Sequence, residues 1–511
     1  MERRAPGLQI WFAIVAAAEY NSTQYQDSSS EGGVRVLLHR LGHARRCTLA
    51  LAALAATLPA ALPAAAQSDS QLHTDGPLRV MLRSALSGQM HPDIPPHDSP
   101  MGAKYVGAGS CSAVACHGGI QPRSVTRVLQ NEYSTWVTAD KHAQAYNSLT
   151  GPLGKQIAAT LKLGPAEKAP RCLVCHALSV EPALRARDFD LNDGVSCESC
   201  HGPASQWLGP HIQANSVHEK MVALGLYDNK NLALRTEKCL TCHLGAPGMS
   251  VDHELIAAGH PDLSFELDSF SAVEPPHWIE KTADDQPSTD PLFGTHAWAI
   301  GQSVQLQQSL LRLARHAHSG PWPEFSEMDC ITCHHALTGP QSWRQKTGFP
   351  GHRAGDPSYN LARYALFRHF AAEVDPGLND ELAAATARVS ALVTSMSPDR
   401  AAVEAAANHA AELAGRMSAE IERTGYDRAR TERLLRSISA DGEAISLDGE
   451  RTAEQATMTV DSLYIADAKA GAANPATRSA IDGLFKLVNN PSAYNAPQFA
   501  AQMHRVHDSL R

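Results

Sequence analysis

Apolar residues recur at helical spacing through the last third of the chain. After Pro357 the sequence has no cysteine and is rich in Ala, Arg and Glu. Residues three or four apart share one face of a helix, so an apolar series at that spacing predicts an amphipathic helix. The series that predicts the first of these helices is Leu382, Val389, Leu392, Val393 and Met396.

A second helix is predicted to begin immediately afterwards. Ser397 fits the N-cap position and Pro398 the first helical position. Leu413 and Ile421 continue its apolar face. Further helices are predicted near residues 427–439, 450–468, 476–489 and 496–509. The pattern therefore predicts a C-terminal helical region over residues 357–511.

Residues 105–356 show a different pattern, with many glycines, prolines and polar residues. One long helix is predicted at 296–317, where Val304, Leu311 and Ala314 share an apolar stripe. The polar segment at 280–291 predicts a surface loop. Elsewhere the sequence predicts short helices joined by long loops and very little sheet, so the predicted fold class is mainly α.

The first 104 residues predict export and a linker. Two arginines at 45–46 precede an apolar run, and an A-x-A sequence ending at Ala66 completes a secretory signal peptide. Proline residues interrupt the run, which makes it a poor membrane span. We expect a periplasmic protein. The predicted segments are an N-terminal extension with a signal peptide at 1–66 and a linker or extended arm at 67–104.

The charge of the chain bears on its partners. The formal net charge is −9. Nucleic-acid-binding proteins present basic surfaces, so we expect no nucleic-acid partner. An acidic protein can dock on basic redox partner proteins. No stretch after residue 66 is long and apolar enough to cross a membrane, so we expect no transmembrane span in the mature chain.

Five copies of one short pattern, two cysteines followed at once by a histidine, lie between residues 111 and 334. Four have the spacing C-x-x-C-H, and the fifth, CSAVACH, is a stretched C-x4-C-H. The cysteine and histidine content predicts roughly 0.01 strict matches by chance. The pattern is the attachment sequence of c-type haem. The motifs occupy residues 111–117, 172–176, 197–201, 239–243 and 330–334.

The spacing fits that chemistry. Residues i, i+3 and i+4 share one face of a helix, so two thiols can reach one porphyrin and the histidine can reach its iron. We therefore predict five c-type haems, each an iron cofactor. The predicted covalent attachment residues are Cys111, Cys116, Cys172, Cys175, Cys197, Cys200, Cys239, Cys242, Cys330 and Cys333. The predicted proximal iron ligands are His117, His176, His201, His243 and His334.

The stretched motif needs a different backbone. In an unbroken α-helix, Cys111 and Cys116 would point in different directions. We expect a looped backbone between them.

Two other interpretations of the cysteines are weaker. Paired C-x-x-C units can bind zinc, but such sites do not require a histidine directly after every second cysteine. A disulfide framework is typical of small secreted domains, and this chain is far larger.

The second axial ligand of each iron decides what each haem does. An iron held by two histidines carries electrons, whereas an open iron can bind a substrate. His253 and His260 are seven residues apart, so on one helix they would share a face and could serve two haems. No catalytic residue can be named from the sequence. The candidate distal ligands are His142, His211, His253, His260 and His335.

Several of these segments resemble the cytochrome c-554 group of multihaem cytochromes c. This group belongs to a wider superfamily with hydroxylamine oxidoreductase and pentahaem nitrite reductase. The resemblance covers roughly residues 105–340 and implies that His142 and His211 are distal ligands, that haems stack in pairs, and that the protein transfers electrons in the periplasm. The resembling segments are YVGAGSCSAVACHGG, DKHAQAY, GVSCESCHGP, DHELIAAGHPDLSFEL and WPEFSEMDCITCHHAL.

These observations predict a pentahaem cytochrome c domain at residues 105–356 and a helical region after it. The predicted function is electron transfer along five covalent haems. The alternative is a reductase or oxidase of small nitrogen or sulfur compounds at one five-coordinate haem, with the stretched motif as first candidate. The C-terminal helices are a possible surface for a homo-oligomer or a complex.

Overall fold

The computed structural model describes residues 102–123, 128–281, 288–334, 357–395 and 397–510. The described part is mainly α, with eighteen α-helices and no strand beyond isolated bridges. No helix in these ranges has the length and apolar character that crossing a bilayer requires.

The helices of the motif-bearing region are short, with one exception. Most have fewer than ten residues, whereas α10 has 26. The predicted helix at 296–317 is confirmed, with slightly wider bounds. In chain order they are α1 Glu132–Ala139, α2 Ala145–Leu149, α3 Pro152–Thr160, α4 Pro170–His176, α5 Cys197–His201, α6 His218–Ala223, α7 Leu232–Leu240, α8 His253–Ala257, α9 Leu267–Val273 and α10 Phe293–His318.

The C-terminal region consists of longer helices joined by short connections. The five helical segments predicted from 382–396 and from 427 onwards are all present within a few residues. Helices α11 and α15 had not been predicted. The helices are α11 Ala362–Val374, α12 Pro376–Val393, α13 Arg400–Glu422, α14 Arg428–Ala440, α15 Gly442–Leu447, α16 Glu450–Ala470, α17 Pro475–Val488 and α18 Ala496–Ser509.

The start of α13 differs from the prediction. We expected Ser397 as N-cap and Pro398 as the first helical residue. Instead the helix begins at Arg400, and the Asp399 side chain accepts hydrogen bonds from the amides of Ala401 and Ala402. Aspartate satisfies the free amides of a first turn well, and two helical amides lie within reach of its side chain.

The main core is shared between α10 and the C-terminal helices. Helix α10 packs against α7, α11, α13 and α16. Trp298, Leu310 and Leu313 on α10 are fully buried in the same apolar cluster as residues of α13 to α18. The predicted division of the chain near residue 357 stays a prediction, because this cluster includes residues on both sides of it.

The described residues of the motif-bearing region form small apolar clusters of their own. One of them contains Leu149, Ala158 and Leu173, and another contains Ala108, Trp136 and Ala143. Such clusters bury little apolar area, and covalent haems would add the apolar contact that a region this rich in loops lacks.

Candidate haem-binding sites

Two strict motifs lie on short α-helices. Helix α4 begins with Pro170 at its first position and ends at the motif histidine, His176. Helix α5 is the motif itself, from Cys197 to His201. Gly202 follows as its C-cap, where φ is 75° and a Cβ would lie 2.7 Å from the carbonyl oxygen of Gly225. Only glycine fits that close approach, so α5 stops directly after its histidine.

The other two strict motifs lie on tighter or wider turns. Cys239 is on α7, and Cys242 and His243 lie on the π-helical turn Thr241–Gly245 that continues it. π-turns inside helices are frequently found at functional sites. Cys330 begins a 3₁₀ turn, Cys330–Thr332. In both motifs the two cysteines and the histidine lie within about one turn of backbone.

The stretched motif has the looped backbone expected for it. A 3₁₀ turn ends at Cys111, and a second turn follows in which the amides of Cys116 and Gly118 both donate to the carbonyl of Ala113. A Cβ on Gly118 would lie 1.8 Å from the carbonyl oxygen of Ser112. The turn closes tightly around the extra residues, and His117 leaves it one residue before this glycine.

Four motif histidines each face one histidine from outside the motifs. In all four pairs the ring centres are 6.2 to 6.3 Å apart. Two pairs are nearly parallel, at 14° and 29°, and two are nearly perpendicular, at 89° and 87°. The pairs are His117 with His211, His176 with His260, His243 with His142, and His334 with His253.

This separation fits an iron between the two rings. A metal–imidazole bond is about 2 Å, so two imidazoles on opposite sides of one metal put their nitrogens about 4 Å apart and their ring centres about 6 Å apart. Direct ring stacking would bring the parallel pairs closer. The residues present therefore fit haems held by two histidines.

Hydrogen bonds orient these imidazoles. In five of the paired rings Nδ1 has a protein partner, which leaves Nε2 available for a metal. The partners are Glu132 for His117 at 2.9 Å, Asp140 for His142 at 3.1 Å, the carbonyl of Ala145 for His176 at 3.0 Å, the carbonyl of Pro261 for His260 at 2.7 Å, and the carbonyl of Leu208 for His211.

Burial keeps several of the rings neutral. Burial lowers the pKa of His201 and of His243 to about 4. It also lowers the pKa of His176 and of His260. Neutral imidazole is the form that binds a metal, so these rings are ready to act as ligands near neutral pH.

Cysteines of different motifs lie beside one another. The thiols of Cys111 and Cys197 are each the largest influence on the pKa of the other, lowering it for Cys111 and raising it for Cys197. Cys175 and Cys242 are related in the same way. The first motif is therefore a neighbour of the third, and the second of the fourth. None of the ten motif cysteines forms a disulfide bond.

The segment that carries His253 and His260 differs from the prediction. We expected both histidines on one helix face, but α8 ends at Ala257 and Gly259 adopts a φ of 113° before His260. The two rings still face different motifs. Arg171 of α4 forms ion pairs with Asp252 at 2.5 Å and with Glu254 at 2.8 Å, which hold α8 beside the second motif.

His201 differs in its surroundings from the other four motif histidines. Among the described residues, no ring contact joins it to another aromatic or histidine side chain. After burial, the charge of His277 has the largest effect on the His201 pKa, and it acts in the lowering direction. The Nδ1 of His277 donates to the carbonyl of Pro275 at 3.1 Å, as in the paired rings. His335, our fifth candidate distal ligand, lies outside the described residues.

Comparisons with known proteins match the same part of the chain. The family described as "Cytochrome c554 and c-prime" matches residues 111–202, which contain the first three motifs. The cytochrome c-554 of Nitrosomonas europaea is 30% identical over 122 residues. This part of the chain is cytochrome c-554-like.

The cytochrome c-554-like part is limited in length. The aligned residues are 21% of this chain and 50% of the Nitrosomonas europaea protein, so the chain spans about half the length of that relative. No solved structure matches the chain. The family is one of c-type cytochromes, which carry covalently attached haem.

Sequence reasoning did not find which distal histidine meets which motif, nor the partners of Nδ1. Asp140 could have been found, because an aspartate two residues before a histidine can reach both its amide and its ring. Glu132 gave no such signal, since only the turn after the first motif brings it to His117. His277 was among many histidines of the region and had no distinguishing neighbour in the sequence.

Proposed function

We propose that this chain is an exported pentahaem c-type cytochrome that carries electrons along covalently bound haems. The four facing histidine pairs are the observation that supports this most, because each joins a motif histidine to one non-motif histidine at the same separation. Two imidazoles on one iron leave no position for a substrate, which is typical of electron carriers.

The residues of the chain have distinct roles in this proposal. Haem supplies a one-electron iron couple. The cysteine pairs would anchor it, and four of the five motif histidines, each with its facing histidine, would bind the iron. Hydrogen bonds at Nδ1 fix the rings with Nε2 available to the metal. The close thiols, Cys111 with Cys197 and Cys175 with Cys242, put neighbouring sites within a short distance, as electron transfer between haems requires.

Export and partner choice form the second part of the proposal. The predicted signal peptide lies outside the described residues, and it would direct export of the chain to the periplasm. N-terminal sequencing of protein purified from a periplasmic fraction should begin at Gln67. An acidic chain would favour basic redox partners, and their association should weaken as ionic strength rises. Oligomerisation through the C-terminal helices stays a prediction, which the native mass of the holoprotein tests.

The count of haems tests the main proposal. Protein produced in a strain competent for cytochrome maturation should exceed the mass of its polypeptide by five haems. Its ferric spectrum should be dominated by low-spin iron. The double variant Cys111→Ser, Cys116→Ser should carry four, because the stretched motif is one of the five sites. A colourless protein, or a double variant with an unchanged count, would contradict the proposal.

A second function is supported by His201. This histidine has no facing ring among the described residues, unlike the other four motif histidines. If its haem is five-coordinate, it could bind and transform a small nitrogen or sulfur compound. The pairing of His117 with His211 argues against the stretched motif as the open site.

Carbon monoxide binding to the reduced protein separates the two functions. If His277 is the sixth ligand, the natural protein should not bind carbon monoxide rapidly and His277→Ala should gain one binding site. If the haem has no sixth ligand, the natural protein and His277→Ala should bind carbon monoxide equally. His318→Ala is a suitable control, because the His318 side chain is 71% exposed and its ion-pair partner among the described residues is Glu404. Carbon monoxide binding by the natural protein would support the enzymatic function. Absence of this binding would support electron transfer alone.

A further inference from the structure

The first helix lies between two of the candidate sites and places one carboxylate at each. Glu132 is in the first turn of α1 and accepts from Nδ1 of His117 at 2.9 Å. Asp140 directly follows the last turn and accepts from Nδ1 of His142, the ring that faces His243, at 3.1 Å. The helix has eight residues, so the backbone positions of Glu132 and Asp140 are about 12 Å apart along its axis.

Both carboxylates are held in place by the surrounding structure. The Asp140 side chain is 5% exposed and also accepts from the backbone amide of His142 at 2.9 Å. The Glu132 side chain is 17% exposed, and its other oxygen accepts from the amide of Gln130 at 3.1 Å. Carboxylates fixed in this way hold one geometry toward the imidazole, which mobile surface side chains do not.

Helix α1 is itself fixed to both sites. The buried Trp136 donates from Nε1 to the carbonyl of Val195 at 3.1 Å, and the amide of Val195 donates to the carbonyl of His142 at 3.1 Å. The amide of Tyr133 donates to the carbonyl of His117 at 2.9 Å. The helix therefore acts as a rigid spacer that aligns Glu132 with one imidazole and Asp140 with the other.

The pair of His176 and His260 provides a contrast within the same protein. Both rings donate from Nδ1 to neutral backbone carbonyls, those of Ala145 and Pro261. The hydroxyl of Ser148 is also 3.1 Å from His176. An anionic acceptor pulls the Nδ1 proton more strongly than a carbonyl and raises the basicity of the ligand. A more basic ligand stabilises ferric iron relative to ferrous iron.

We propose that Glu132 and Asp140 are positioning residues that lower the reduction potentials of the haems held by His117 and by His243 below that of the haem held by His176. The inference rests on the proposed function, because it requires haem at these sites. Each site takes up one electron as ferric iron becomes ferrous, and the carboxylates stabilise the ferric form through the imidazole. No proton needs to leave Nδ1.

A spectroelectrochemical titration of the holoprotein tests the proposal. In Glu132→Gln one of the five one-electron transitions should move to a more positive potential. In Asp140→Asn a different transition should move in the same direction. We expect each shift to be about tenfold in the one-electron equilibrium constant, which is about 59 mV. The amides keep the shape of the side chains and can still accept a hydrogen bond.

Glu181→Gln provides the charge-matched control, because Glu181 is exposed and its carboxylate contacts none of the paired histidines. Unchanged potentials in both site variants, or an equal shift in the control, would overturn the proposal. Loss of haem from both variants would also overturn it and would give the carboxylates a folding role instead. Failure of the proposed function is distinguishable, since the natural protein would then lack haem altogether.

Discussion

Arg312 and Glu327 form a buried two-point ion pair between helix α10 and the approach to the fifth motif. Nε of Arg312 is 2.8 Å from one carboxylate oxygen and one terminal nitrogen is 3.0 Å from the other. The remaining terminal nitrogen donates to the carbonyl of Leu244 at 2.7 Å, one residue after His243. One side chain thus links the fourth motif to the segment that leads into the fifth.

Breaking this pair should destabilise the protein. In Arg312→Met the Glu327 carboxylate stays buried without its partner, which costs about 3–5 kcal/mol. Thermal or denaturant unfolding followed by helical circular dichroism measures the loss. The control is Arg416→Ala, because Arg416 and Glu381 form an exposed pair at 3.4 Å, and such pairs contribute about 0–1 kcal/mol. Equal stabilities of the two variants would refute the prediction.

The same ion pair predicts how the stability of the folded protein depends on pH. Burial raises the pKa of Glu327, but Arg312 and His316 outweigh it and lower the pKa to about 2. The unfolded value is about 4.3. A depressed folded pKa stabilises the protein fully above the unfolded value, and this stability is lost as pH falls toward 2.

Acid titrations of the natural protein and of Glu327→Gln measure this contribution. The difference in unfolding free energy between them should be constant above about pH 5 and should shrink as pH falls from about 4 toward 2. A difference that stays the same over this interval would show that Glu327 does not titrate in the folded protein.

Removing one facing histidine should change the spin state of one haem. In His260→Ala the haem proposed for the second motif would keep both cysteines and His176, so the proposed count of five should not change while one haem becomes high-spin. Electron paramagnetic resonance and carbon monoxide binding report the change. His318→Ala should have no effect. An unchanged low-spin spectrum in His260→Ala would mean that another ligand holds that iron.

A single methyl group at Gly118 should disrupt the stretched motif. The Cβ of alanine would lie 1.8 Å from the carbonyl oxygen of Ser112, so the turn that carries His117 must open. We expect Gly118→Ala to lose the haem of this motif or the low-spin character of its iron. Gly109→Ala is the matched control, because no atom lies within 4 Å of its Cβ position. Equal haem content and identical spectra in both variants would contradict this account.

Local patterns in the sequence predicted much of the fold. The C-terminal helices and α10 follow from apolar spacing, because an amphipathic helix needs only residues three and four apart. The predicted N-cap of α13 was wrong by two residues, because Asp399 rather than Ser397 accepts hydrogen bonds from the free amides of the first turn. The helix expected to join His253 to His260 ends at Ala257, because Gly259 takes a positive φ. The sequence alone did not show that conformation.

The sequence by itself determined the predicted chemistry, because the two thiols and the histidine of each strict motif lie within about one turn of backbone and this spacing predicts covalent haem. Only the tertiary structure decided which histidine faces which motif. His142 meets His243 and His211 meets His117 across long stretches of chain, brought together by the packing of the intervening helices. A side chain that arrives from a distant segment leaves no local pattern, so neither these pairs nor the contact between Glu132 and His117 could be predicted from spacing alone.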